Sequence, residues 1–237
     1  MIENLPGYVN VIFILTTVLT LWLLYHCVRS SDMEGSGSRS AKVLIFSIVW
    51  LIIQAVISIN NFYNTDTKSF PPKLFLMGIF PAMLTVLLTF ITAGGRNFTD
   101  SLSLKNLTYI SIVRIPVEIV LYLLCQYKTV PEIMTFAGFN FDILAGLSSP
   151  FIAYFGLAKN KLSRKSLLLW NIVSLGLLIN IVVLAALSAP FSMQKFAFGQ
   201  PNIAVLNFPF SWLPVFIVPV VLFSHIASIR QLLRTKD

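Results

Sequence analysis

Residues 43–63, Val43 to Tyr63, read VLIFSIVWLIIQAVISINNFY and contain no charged side chain. A helix of that length at 1.5 Å per residue covers the ~30 Å hydrocarbon thickness of a bilayer. The apolar residues do not alternate as they would in a membrane barrel strand, so a helix is the only spanning form left for this stretch.

The same pattern recurs on both sides of it. Reading outward, apolar segments run 9–28, 43–63, 74–93, 107–126, 141–158, 167–188 and 208–229. The fifth is the shortest and carries Pro150. Across all 237 residues 57% are hydrophobic and 11% charged, with a mean hydropathy of +0.83. A soluble domain usually has about 25% charged residues, and a water-soluble core would leave much of this apolar surface exposed. The expected fold is therefore all-α: an integral membrane bundle of seven transmembrane helices, forming one transmembrane domain over residues 1–237.

Basic residues fix the expected orientation. Short cytoplasmic connections of membrane proteins carry the excess of Lys and Arg. Arg29, Arg39 and Lys42 follow the first segment, Arg96 and Lys105 the third, Lys159, Lys161, Arg164 and Lys165 the fifth, and Arg230, Arg234 and Lys236 the seventh. The alternate set holds only Lys68, Lys73, Lys128 and Lys195, with Arg114 inside the fourth segment. Twelve against four, in register with the segments, gives an N-out, C-in chain. It also accounts for the net charge of +8 without nucleic acid, since the charge is spread over four connections rather than gathered in one basic and aromatic cluster. Met1 to Asn10 has no Lys or Arg and no small-residue cleavage site follows, so the first helix is expected to stay as an anchor.

The connections divide into a linker and a candidate lid. Ser30 to Ala41 is Gly/Ser-rich and reads as a flexible tether. Ala189 to Asn207 is the longest outer connection and mixes Phe191, Phe196, Phe198 and Ile203 with polar residues, which suits a segment at the interface or over a site. Two glycosylation patterns, at Asn97 and Asn106, fall on the expected cytoplasmic side and read as chance. Cys27 and Cys125 are expected near opposite faces and so not to bridge. No internal repeat stands out.

Membrane-embedded polar residues carry what functional signal there is. Arg114 and Glu118 lie inside the fourth segment, where each charge costs roughly 2.5–3.5 kcal/mol even on mild insertion scales. Four residues apart, they share a helix face and can pair, either as a structural lock or as an anion-binding or proton-handling site. Pro116 between them is expected to free the carbonyl of Ile112. Gln54, Asn60 and Asn61 in the second helix and Asn171 and Asn180 in the sixth offer amides at membrane depth, either as interhelical hydrogen bonds or as cavity lining with Arg114 and Glu118. Asn140 and Asp142 begin the fifth helix, where capping is the ordinary role and a solute contact the alternative.

His26 and His225 fall toward the same ends of the first and seventh helices, the arrangement by which two histidines hold a b-type haem. A zinc site with three protein ligands is not available from two His and these cysteines, so no metal is expected. Pro81, Pro116, Pro150, Pro214 and Pro219 lie inside helices and are expected to kink them. The seventh segment has no Lys for a retinal Schiff base, and the chain shows no phosphate loop, Ser-His-Asp set or His-Glu-x-x-His motif.

Three stretches carry a resemblance: Arg114-Ile115-Pro116-Val117-Glu118, the run from Asn140 to Gly146, and Gln200 to Leu206 followed by Phe208-Pro209-Phe210 and Trp212-Leu213-Pro214. With them the chain resembles a group of uncharacterised bacterial multi-pass membrane proteins over most of its length. The resemblance implies a bacterial inner membrane and supplies no activity and no functional residues.

The function expected from these residues is binding or transport of a small solute at an intramembrane polar site made by Arg114, Glu118, Gln54, Asn171, Asn180 and Asp142. The alternatives are a redox or membrane-embedded enzyme subunit acting on haem, quinone or lipid, and a structural subunit of a membrane complex. The bilayer is the expected partner, with a small-molecule or lipid ligand and a further membrane protein as the others; the cofactor is unknown.

Overall fold

The computed structural model describes residues 2 and 5–234, so Lys236, counted above among the basic residues, lies outside the described residues. Among the described residues the chain is all-helical, with 74% of residues in helix and no strand. The helices are α1 (Gly7–Arg29), α2 (Ser36–Ile59), α3 (Phe80–Ile91), α4 (Ala93–Asp100), α5 (Leu104–Ile110), α6 (Arg114–Gln126), α7 (Ile143–Phe151), α8 (Arg164–Ser188) and α9 (Val218–Arg234).

Five helical stretches are long and apolar enough to cross a membrane: α1, α2, the continuous Leu104–Gln126 rod of α5 and α6, α8, and Leu213–Arg234. A sixth is reached only by taking Phe75–Ile91 together with α4, into which it turns by 85°. Thr92 makes that corner: its backbone is extended and its hydroxyl accepts the N–H of Gly95, capping α4 as a new helix. The fifth apolar segment is helical over Ile143–Ala158, shorter than a span, and passes into a π turn at Ile152–Ala158 just after Pro150. Large apolar side chains face outward on the long helices, among them Leu15 at 61%, Ile45 at 62% and Leu169 at 62% exposure. In water that surface would be an aggregation liability; in lipid it is the ordinary exterior of a bundle.

Prolines shape the interior in a way that sequence spacing alone did not reveal. A proline cannot donate to the carbonyl four residues earlier. Pro81 so frees the carbonyl of Met77, and Gln54 of α2 donates its amide to it at 3.0 Å. Pro219 frees the carbonyl of Val215, and the Trp50 indole N–H of α2 takes it at 3.0 Å. One turn of α2 therefore pins two broken helices at the points where each lacks a backbone bond. Pro116 is different. A 3₁₀ turn at Ser111–Val113 precedes it and it too lies in the first turn of its helix, but no side-chain hydrogen bond to the Ile112 carbonyl is seen among the described residues.

The two pinned helices repeat one device. Residues 70–84 and 208–222 align without a gap, 138 positions apart (70 to 208, 81 to 219), and share Phe70/Phe208, Pro71/Pro209, Ile79/Ile217, Pro81/Pro219 and Leu84/Leu222. Each has a π turn in the same place, Phe75–Ile79 and Leu213–Ile217, ending two residues before the second proline. The turns touch: a Cβ on Gly78 would lie 2.6 Å from Cγ1 of Val215, so glycine is what permits the approach. A repeat this short is invisible at five identities in 15 positions, which is why none was expected.

Hydrogen bonds between connections gather them at two ends of the bundle. At one end Asp32 N–H meets the Ser101 carbonyl at 3.2 Å, Arg230 is bidentate to Asp100 at 2.8 and 3.0 Å, Arg234 joins the same carboxylate, and Arg164 donates to the Leu232 carbonyl. At the other, Ile203 N–H meets the Thr129 carbonyl at 3.1 Å, Gln200 donates to the Val130 carbonyl at 2.6 Å and Asn64 to Asn207 at 3.1 Å. The connections rich in Lys and Arg share the first end, and the Ala189 to Asn207 connection folds over the second.

Candidate functional site

The polar residues at the centre of the bundle come from four apolar segments. Arg114 and Glu118 sit on the first two turns of α6, and Ser111 on the 3₁₀ turn before it. Asn140 and Asp142 lead into α7, Asn171 and Ser174 lie on α8, and His225 on α9. Gly146 lets α7 approach closely, since a Cβ there would stand 2.9 Å from Ile115 Cγ1 and 3.2 Å from the Arg114 Cβ.

Arg114 is 2% exposed and organises the group. One of its terminal nitrogens donates to Asp142 Oδ1 at 2.8 Å and to the Ser174 carbonyl at 3.1 Å. The other donates to Nε2 of His225 at 2.7 Å. Arginine has only donors, so Nε2 must accept, and the ring proton is on Nδ1, facing the Asn171 carbonyl oxygen at 3.0 Å. Asn171 completes its own amide by donating to the Leu167 carbonyl at 2.9 Å. The Ser111 hydroxyl stands 3.3 Å from the same Nε2.

Glu118 does not form the ion pair with Arg114 that their spacing allows. The order with Arg first is the weaker one, and the guanidinium instead turns toward Asp142 and His225 on neighbouring helices. Glu118 Oε1 accepts from the Asn140 amide at 2.5 Å, and Asn140 also donates to the Met134 carbonyl at 3.0 Å. The Asn140 oxygen accepts the Asp142 N–H at 3.1 Å in a turn ahead of α7, no side chain caps the helix itself, and the Asp142 carboxylate is left for Arg114. Two buried atoms of the group have no hydrogen-bond partner: Nε of Arg114 and Oε2 of Glu118.

The remaining candidates lie elsewhere. Gln54 is fully buried but belongs to the α2 staple, where it also accepts from the Tyr63 hydroxyl at 2.5 Å. Asn180 is exposed and donates to the Phe139 carbonyl at 2.9 Å. His26 lies on an exposed face of α1 stacked on Trp22, with ring centroids 5.7 Å apart, whereas both ring nitrogens of buried His225 are engaged. The geometry gives no support to the two histidines as a haem pair: one faces outward and the other has no free lone pair. His225 was legible only as a haem ligand, and its role beside Arg114 carried no local sequence signal; Asn140 was read as a cap without its second contact to Glu118.

Chemically, the group sets two carboxylates and a neutral imidazole around one guanidinium in a region excluded from water. It can hold one more positive charge, and it has an unused donor and an unused acceptor. Residues 71–233 match the family described as Domain of unknown function (DUF8737), a span that includes every member of this group. The chain matches no curated protein and no solved structure.

Proposed function

The chain belongs to that family of unknown function, and from this premise we propose that it is a seven-span membrane carrier of a small solute that takes up a proton at the Arg114, Asp142 and Glu118 group. The observation that carries this reading is the charge count: two buried acids face one buried base, with Glu118 Oε2 and Arg114 Nε unpartnered. Uncompensated charge at membrane depth is costly, so a bound proton or cation is the natural complement. The repeated π turn and proline give further support. Helices broken in this way are a recurrent feature of secondary transporters, where they serve as hinges. As described, the bundle is closed around the group, and opening it is the task of the two hinged helices.

In this reading the bent α3 and short α7 also cross the bilayer, which makes seven passes. The end bearing Arg29, Lys42, Arg96, Lys161 and Arg230 is cytoplasmic, in a bacterial inner membrane. In a chain with Cys27 and Cys125 replaced by serine, a cysteine at position 73 should then react with an impermeant thiol reagent in intact cells and one at position 161 only in inverted membrane vesicles.

Reconstituted in liposomes holding a pH-sensitive dye, the protein should dissipate an imposed pH gradient faster than empty vesicles. Glu118→Gln, checked for unchanged elution and thermal unfolding, should remove most of that flux. Flux equal to that of empty vesicles, or untouched by the substitution, rules the reading out.

A further inference from the structure

A cleft of about 460 Å³, well within the ~300–1,000 Å³ range of ligand pockets, opens between α2, α3 and α9, away from the charged group. At one end of its lining Trp50 meets the Val215 carbonyl, and at the other stand Lys42 and Phe98. The lining spans Lys42 to Trp50 on α2, Pro81 to Thr89 on α3 and Val215 to Phe223 on the last span, nine residues in each case, or about 12 Å from first to last at the helical rise. That is close to the ~15 Å half-thickness of a bilayer core. Between these ends the walls are almost wholly apolar, with the Phe98 and Phe223 rings 6.2 Å apart between centroids and Phe90, outside the lining, 5.8 Å from Phe223.

We propose that this cleft is a binding site for an anionic phospholipid of the membrane, one acyl chain lying between α2 and α3 and the headgroup phosphate paired with Lys42. The length and the apolar walls suit a single chain from one leaflet. The lone ammonium at the Lys42 end selects charge: its apolar stem follows the wall while its head stays at the interface, where an anionic headgroup sits. Arg39, three positions earlier on the same helix face, adds to that field, with Asp32 and Glu34 in the preceding connection opposing it in part. The proposal needs the membrane placement but not the charged group, so it stands or falls apart from solute transport.

The test uses the purified full chain in lipid nanodiscs containing phosphatidylglycerol or phosphatidylcholine with a photoreactive acyl chain, and cross-linked peptides mapped by mass spectrometry. Phosphatidylglycerol should label the lining of α2, α3 and α9 at least fivefold more than phosphatidylcholine. Lys42→Glu should bring it down to the phosphatidylcholine level, and Ala82→Trp, which fills the cleft, should abolish labelling by both. Thr85→Phe serves as the filling variant if Ala82→Trp does not fold. Equal labelling by the two lipids, labelling spread evenly over the outer faces of α1 and α8, or labelling indifferent to the filling variants overturns the proposal. Labelling of the lining by a photoreactive free fatty acid but not by phosphatidylglycerol overturns it as well.

Discussion

Trp50 donates its indole N–H to the carbonyl of Val215, the one backbone acceptor that Pro219 leaves unpaired in the last span. The pairing is complementary in a strict sense: each residue supplies what the other's helix lacks, and neither group has a better partner in lipid. Gln54 and Met77 repeat it one turn away for Pro81. The interior is thus held as much by backbone groups that prolines expose as by side chains packing on one another.

Trp50→Phe should destabilise the protein by about 1 kcal/mol, within the spread measured for membrane hydrogen bonds and the cost of an unpaired carbonyl. In a Pro219→Ala background the helix can satisfy Val215 itself, and the same substitution should then cost about half as much or less. Thermal unfolding in detergent, run as a double-mutant cycle, reads the coupling. Strict additivity would show that the indole packs there without serving the carbonyl.

Gly78→Ala should cost about 1–3 kcal/mol, because its Cβ would stand 2.6 Å from Val215 Cγ1 and force the two π turns apart. Gly176→Ala on α8 has no atom within 4 Å of its new Cβ and should be neutral or stabilising by up to ~1 kcal/mol. Unfolding midpoints of the two variants, compared side by side, decide it; equal shifts would mean that the turns do not meet as described.

Sequence made the helices legible because membrane insertion depends on local hydrophobicity summed over about 20 residues, which a chain displays openly. It ended the third segment at residue 93, beside the corner at Thr92, but did not show that the chain turns by 85° there and goes on as helix α4. Arg114, Glu118, Asn171 and Asp142 could be named in advance because a polar group at membrane depth is conspicuous. Their partners could not, since Arg114 reaches Asp142 and His225 across 28 and 111 positions of chain, and no local rule couples such distances. Asn180 shows the converse. It has the same residue type on the same helix as Asn171, nine positions on, but faces outward; nine residues at 100° each turn the helix by 900°, half a turn away.

Acid should loosen the end of the bundle where α4 meets α9. The Arg230 hydrogen bond, with the charges of Arg230 and Arg234, holds the Asp100 carboxyl below the usual carboxylate range against a smaller opposing effect of burial. A lowered folded value means the contribution is present above the unfolded value of ~3.9 and is lost as pH falls through the folded one. The carboxylate is 26% exposed, so the contribution is at most about 1 kcal/mol. The gap in unfolding midpoint between the parent and Asp100→Asn should be present at pH 7 and narrow progressively as the pH falls below ~3.9. A gap that persists at the lower pH would mean that the aspartate acts there through packing rather than charge.

Breaking the central pair from one side should be worse than removing both members. Asp142→Leu leaves the buried guanidinium with His225 and a carbonyl but no counter-charge on α7, and Arg114→Met leaves Asp142 with no cation; each should cost about 3–5 kcal/mol. The double variant, Arg114→Met with Asp142→Leu, removes both charges and should recover a large part of that loss, although His225 then lacks its strongest donor and keeps only Asn171 and Ser111. The stability of all four proteins in one detergent, followed by unfolding midpoint, measures the coupling. A double variant as unstable as the sum of the two singles would place the carboxylate and the guanidinium outside each other's reach in the membrane. Recovery of stability with no recovery of proton flux would separate the lock from the carrier, since the same two charges would then be dispensable for folding and required for transport.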